Sequence, residues 1–131
     1  MADALWMRIR EVNWEEFQTT KPANIPALLK NLASRKLSRA IKASHQIWAA
    51  LCSGGTVQSA AVPCIPFLVE IFTISDPAVQ DTILDILQSV KNSPDHSATL
   101  PAYKSELKYC LNSIRDEVTR AKLKDFLAEF E

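Results

Sequence analysis

Glycine is almost missing from this chain, with 2 residues in 131. β-Sandwiches and barrels rely on tight turns that glycine serves best, and nucleotide-binding folds need a glycine-rich phosphate loop, so both classes lose ground. Cysteine is sparse and odd in number (Cys52, Cys64 and Cys110, with no CxxC pair). That count argues against a disulfide framework or a Cys-based zinc site and fits a reduced compartment. No stretch approaches the roughly 20 apolar residues of a membrane span. The amino terminus places Asp3 where a signal peptide would be basic and apolar, so the expected location is cytoplasmic. Charge of one sign is missing too: Lys+Arg and Asp+Glu are 15 each, and bulk charge draws the chain to neither nucleic acid nor membrane. There is no HExxH, no phosphate-cradling loop and no nucleophile elbow.

What the chain does have is apolar residues, 47% of the total, recurring with a helical period almost throughout. The expected fold is all-α, in one domain over residues 1–131. Asn13 with Glu16 reads as a capping box before a short turn at residues 14–19. Asn24 caps a helix over residues 25–33. A longer helix reaches residue 53, with Ala40, Ile41, Ser44, Ile47, Trp48 and Leu51 on one side and Trp48 in the core; Gly54-Gly55 stops it. A helix over residues 58–74 is bent or entered late, because Pro63 and Pro66 lack an amide hydrogen. Asp76-Pro77 is the clearest start signal, an N-cap carboxylate before a first-turn proline. Behind it Val79, Ile83, Ile86, Leu87 and Val90 form an apolar stripe. Residues 92–99 form a loop, and residues 101–130 are helical, as two helices or one kinked one.

Internal repetition is the strongest signal. Ile25-Pro26-Ala27-Leu28-Leu29 is echoed by Ile65-Pro66-Phe67-Leu68-Val69 and, more faintly, by Leu100-Pro101-Ala102-Tyr103. A longer amphipathic helix follows each time. Ala40, Ile47, Trp48 and Leu51 align with Val79, Ile86, Leu87 and Val90; Val118, Leu123 and Phe126 align with Val79, Leu84 and Leu87. Three helix pairs (residues 24–53, 58–92 and 100–130) behind an N-terminal capping segment (1–23) make a short α-solenoid, in which no pair can bury its apolar face alone. Trp6 and Trp14 lie outside the repeats, as covers for the open end of the first pair or as interface anchors.

The paired-helix period and the Asp76-Pro77-Ala78-Val79 opening resemble HEAT repeats. Residues 54–68, with their Gly-Thr-Val segment, Ala-rich run and Pro-Phe-Leu helix, are similar to small bacterial HEAT-like proteins, as are Trp14 and Ile25–Leu29. The likeness covers residues 13–92. Several such proteins are immunity partners of polymorphic or contact-dependent toxins. The resemblance therefore implies a non-catalytic protein-binding module that neutralises a cognate secreted toxin. Where that family often carries His-Gln-Gly-Thr, this chain has Ser53-Gly54-Gly55-Thr56, so no histidine role carries over.

Candidate chemistry is thin. His45 and Cys52 are seven apart on one helix, about 10 Å along the axis, whereas a nucleophile and its base must approach to about 3 Å. No catalytic residue, metal or cofactor is expected. Charge is more telling when split. Residues 1–60 carry eight bases and four acids, and residues 61–131 seven bases and eleven acids, so +4 faces −4. Arg35, Arg39 and Lys42 form a basic stripe. Repeat alignment places Lys42 and Gln46 on Asp81 and Asp85, and those on Arg120 and Lys124. This basic–acidic–basic ladder is either a set of inter-repeat ion pairs or the polar floor of a binding surface. The candidate contacts are Asp76, Asp81, Asp85, Lys42, Gln46 and Arg39, with the acids facing a basic toxin surface if the toxin is a nuclease. Two alternatives stay open. One is nucleic-acid binding through Arg35, Arg39 and Lys42, which zero net charge disfavours; the other is a generic protein scaffold.

Overall fold

The computed structural model describes residues 2–17, 19, 24–52 and 56–130, the side chains of residues 2–4 aside. Every regular element among them is helical. The helices are α1 (Ala2–Glu11), α2 (Ile25–Leu32), α3 (Leu37–Cys52), α4 (Ala61–Phe72), α5 (Pro77–Lys91), α6 (Lys104–Cys110) and α7 (Glu117–Ala128). Single 3-10 turns occupy Trp14–Glu16, Ser97–Thr99 and Pro101–Tyr103.

The helices pack as three pairs, α2 with α3, α4 with α5 and α6 with α7. The second members lie side by side, α3 on α5 and α5 on α7, while α2 also touches α4. The expected stack of pairs is thus present, and residues 101–130 divide into two separate helices. One continuous apolar core runs from Leu5 and Ile9 of α1 to Leu123, Phe126 and Leu127 of α7. Val79, Ile83, Ile86, Leu87 and Val90 are all buried, as their spacing requires.

Local chemistry explains where helices begin. Asn24 accepts a hydrogen bond from the Ala27 amide at 3.3 Å, the cap expected for α2. Asn13 does not cap its turn; its amide instead donates to the Glu16 carboxylate at 3.0 Å, so the two members of the supposed box satisfy each other. Asp76 occupies the N-cap of α5 in extended backbone, yet its carboxylate accepts no capping bond. Pro26 stands in the first turn of α2, where a missing amide hydrogen costs nothing. Its repeat partner Pro66 lies inside α4, which begins earlier relative to the motif. That interior proline removes one backbone bond. The helix persists because it is apolar nearly all round, burying Cys64, Ile65, Phe67, Leu68, Val69, Ile71 and Phe72. The Gly54-Gly55 stop falls outside the described residues. The Gln58 amide donates back to the Leu51 carbonyl at 2.8 Å, so the chain beyond it returns to the end of α3.

Helix α1 is a departure from the sequence reading, which left residues 1–12 without structure. Leu5 and Ile9 bury one turn apart against α2. Trp14 donates its indole N–H to the Ile9 carbonyl at 2.8 Å and packs on Phe67, ring centroids 6.3 Å apart. Arg8 grips both Glu70 carboxylate oxygens at 2.7 Å, tying α1 to α4. Trp6 lies under the Lys30 ammonium, 4.9 Å from its ring centre. Both tryptophans are half-buried parts of a cap over the first pair.

Candidate protein-binding face

The side-by-side helices α3, α5 and α7 turn their apolar stripes inward, which leaves polar residues outward. Helix α3 exposes Arg39, Lys42, His45 and Gln46. Among the described residues no carboxylate pairs with Arg39 or Lys42. Helix α5 exposes Asp85 and half-exposes Asp81 on its outer side.

The ladder is realised with a different rung. Lys122 of α7, rather than Arg120 or Lys124, reaches across to α5, with its Nζ 2.7 Å from Asp81 Oδ1 and 2.6 Å from Asp85 Oδ1. It also donates to the Asp81 carbonyl at 3.3 Å. Partial burial alone would lower the Lys122 ammonium, but the bonds and charges of the two aspartates outweigh it and hold the pKa above the usual value. In α7 Leu123 and Phe126 are buried where the alignment places them, together with Thr119 and Leu127, whereas Val118 is 76% exposed. Lys122 lies between the two aligned positions, and Arg120 and Lys124 line a separate shallow groove with Leu111 and Glu117. No ion pair joins α3 to α5 among the described residues.

The six candidate contacts do not converge on one spot. Asp81 and Asp85 come together, held by Lys122. Lys42 and Gln46 stand on the open side of α3. Asp76 sits at the turn between α4 and α5, in a crevice of about 200 Å³ that also holds Arg35. Arg39, in the first turn of α3, lines a groove with Leu5, Trp6 and Ile9 of α1. Arg35 precedes α3 instead of lying on it, so the helical basic stripe shortens to Arg39 and Lys42.

Trp48 corrects a second expectation. It sits at the edge of the α3 stripe beside half-buried Ile41, and is 38% exposed instead of buried. It opens on a groove of about 560 Å³ walled by Val57, Ser89, Asn92 and Pro94. Spacing alone does not distinguish it, since Leu87, eight residues after Val79 as Trp48 is after Ala40, is fully buried.

The thiols are buried. Burial pushes the Cys52 thiol up to about 11 against a smaller downward pull from Ser89. Cys64 lies far above the ordinary thiol range for the same reason, with Cys52 adding to it, and Cys110 is also raised, by burial first and then by Glu106. His45 is exposed while Cys52 is buried, so the pair does not share an environment. Among the described residues no cluster of His, Cys, Asp or Glu is arranged to hold a metal. No described helix is long and apolar enough to cross a membrane. Scans against protein-family models, curated proteins and solved structures find no match to this chain.

Proposed function

We propose that this chain is a non-catalytic protein-binding module and, on its resemblance to small bacterial HEAT-like proteins, an immunity protein that neutralises a cognate secreted toxin by covering its active site or substrate surface. The observation that carries the reading is the layer of α3, α5 and α7: adjacent helices set on a continuous core, with Lys42, His45 and Gln46 exposed and awaiting contact. A surface preformed in this way loses little conformational entropy on binding. Thiols pushed away from ionisation favour binding over nucleophilic chemistry. The split of charge between the two halves of the sequence would speed encounter and select partners.

Co-expression with the product of the adjacent gene tests this. A stoichiometric complex that restores growth to cells expressing that product is the expected outcome. Absence of both complex and rescue overturns the toxin assignment. Within a complex, Lys42→Glu and Asp76→Lys should slow association. They are better probes than Asp81 or Asp85, whose reversal would also break the Lys122 bridge.

A further inference from the structure

Between Glu16 and Glu70 the sequence contains no acidic residue, while Lys21, Lys30, Arg35, Lys36, Arg39 and Lys42 all fall there. The five of these that are described, Lys30 through Lys42, are exposed, and none forms an ion pair among the described residues. Two of them, Lys30 and Arg39, flank a groove of about 290 Å³ where α1 crosses the first pair. Half-buried Trp6 and Ala33 supply its accessible apolar lining, with Leu5 and Ile9 buried behind them, and Asn31 and Ser34 add polar groups. Among the described side chains no carboxylate lines it. An apolar lining beside two cations that have no acidic partner among the described residues is complementary to one kind of occupant, an apolar side chain with an acid beside it.

We propose that this groove docks an acidic, apolar-anchored segment of a partner protein. The apolar side chain packs on Trp6 and Ala33, and the adjacent carboxylate lies between Lys30 and Arg39. Arg39 is suited to the role because its guanidinium can hold a carboxylate through two parallel bonds. Lys30 is already oriented by its contact with Trp6. A nucleic-acid backbone fits less well, since a strand of phosphates gains nothing from an apolar lining and needs cations laid out in a row. The inference does not rest on the toxin assignment and concerns a different part of the molecule from the outer side of α5.

The test is selection of a random dodecapeptide display library on the whole protein, followed by polarisation titration of the selected peptides. Enrichment of Asp or Glu next to aliphatic or aromatic residues is expected. Binding should fall at least tenfold in Arg39→Glu, several-fold in Lys30→Gln, and little in Lys108→Glu or Asp95→Asn, exposed charges away from the groove. Arg39 makes no ion pair among the described residues, so its variant should keep the wild-type helical spectrum, and the amide signals of Lys30, Asn31 and Ser34 should shift on titration. The proposal is overturned if no peptide is selected, if selected peptides lack acids, or if Arg39→Glu binds them unchanged. It is also overturned if a short DNA duplex binds here and displaces them with a steep salt dependence. Co-purification with a neighbouring gene product can fail while this selection succeeds, and the reverse, so the two readings fail separately.

Discussion

The first helix pair and the last are built on the same core but dispose of charge in opposite ways. Around α2 and α3, Lys30, Arg35, Lys36, Arg39 and Lys42 project without acidic partners, Lys30 alone resting on a ring. Around α5 and α7, Lys122 bridges Asp81 and Asp85, and Lys91 lies 3.8 Å from Glu129. Charges already paired within the molecule hold helix to helix. Those left unpaired keep their field for something outside it. The comparison therefore moves the functional interest from the acids of α5, which the charge pattern suggested, toward the basic end beside α1.

The largest effects should come from the packing that both ends share. Leu29 of α2 and Leu123 of α7 are each fully buried. Truncating either to alanine should cost about 2–5 kcal/mol in urea unfolding. If the stack is one cooperative unit, both variants shift a single transition. If the ends melt separately, Leu123→Ala splits the curve and leaves the α1–α3 signal in place, which would sharpen the contrast into one of stability as well as charge.

Much of this fold was readable because helical period and burial coincide. The stripe from Val79 to Val90, the Asn24 cap and the two-helix repeat all follow from side-chain chemistry within one or two turns. Pro66 lies inside α4, where burial on nearly every side holds the helix despite the missing amide, while its start at Ala61 is the late entry that the two prolines imply. Two features were not readable for the same reason that they are not local. Helix α1 is polar on average and is held by long-range ties, Arg8 to Glu70 and, just beyond the helix, Trp14 to Phe67. Lys122 could not be picked out as the bridging residue, because a fixed repeat offset pairs Asp81 and Asp85 with Arg120 and Lys124, and the lysine that bridges both acids lies between those two positions. Gln80 is a similar case: its side chain is buried and donates to the Phe72 carbonyl at 2.9 Å, locking α5 to the end of α4 across a turn. The candidate site was legible only as a pattern of charge, since which charges are neutralised depends on neighbours across the stack.

Charge substitutions should divide along the same line with smaller effects. Lys122→Ala removes a bridge that is partly solvent-screened, so each contact is worth under about 1 kcal/mol. Arg39→Ala should leave stability within about 0.5 kcal/mol of the wild type, as expected for a surface residue with no partner. Because Asp81 and Asp85 raise the Lys122 pKa, the bridge's contribution is fully present below the unfolded lysine value of about 10.4 and is lost as pH rises through the higher folded one. Unfolding titrations above that pH should therefore show the gap between wild type and Lys122→Ala closing. Equal losses from Arg39→Ala and Lys122→Ala at neutral pH would break the comparison.

The smallest effect contrasts two aspartates that both precede helices. Asp116 accepts bonds at 2.9 Å from the Thr119 amide and hydroxyl, whereas Asp76 makes no side-chain cap and is followed by Pro77. The backbone bond from Thr119, and then its hydroxyl, hold the Asp116 carboxyl below its usual pKa. Its contribution is therefore present above the unfolded carboxylate value of about 3.9 and disappears as pH falls through the lower folded one. Asp116→Ala should lower the thermal midpoint at neutral pH, by a margin that narrows on acidification. Asp76→Ala should change the midpoint little at either pH, because its carboxylate makes no capping bond to lose and Pro77 already presets the first turn. If Asp76→Ala destabilised as much as Asp116→Ala, the carboxylate at the start of α5 would be a structural group after all. It would then no longer be available as a contact for a partner at the α4–α5 turn, and the basic end beside α1 would be left as the stronger candidate surface.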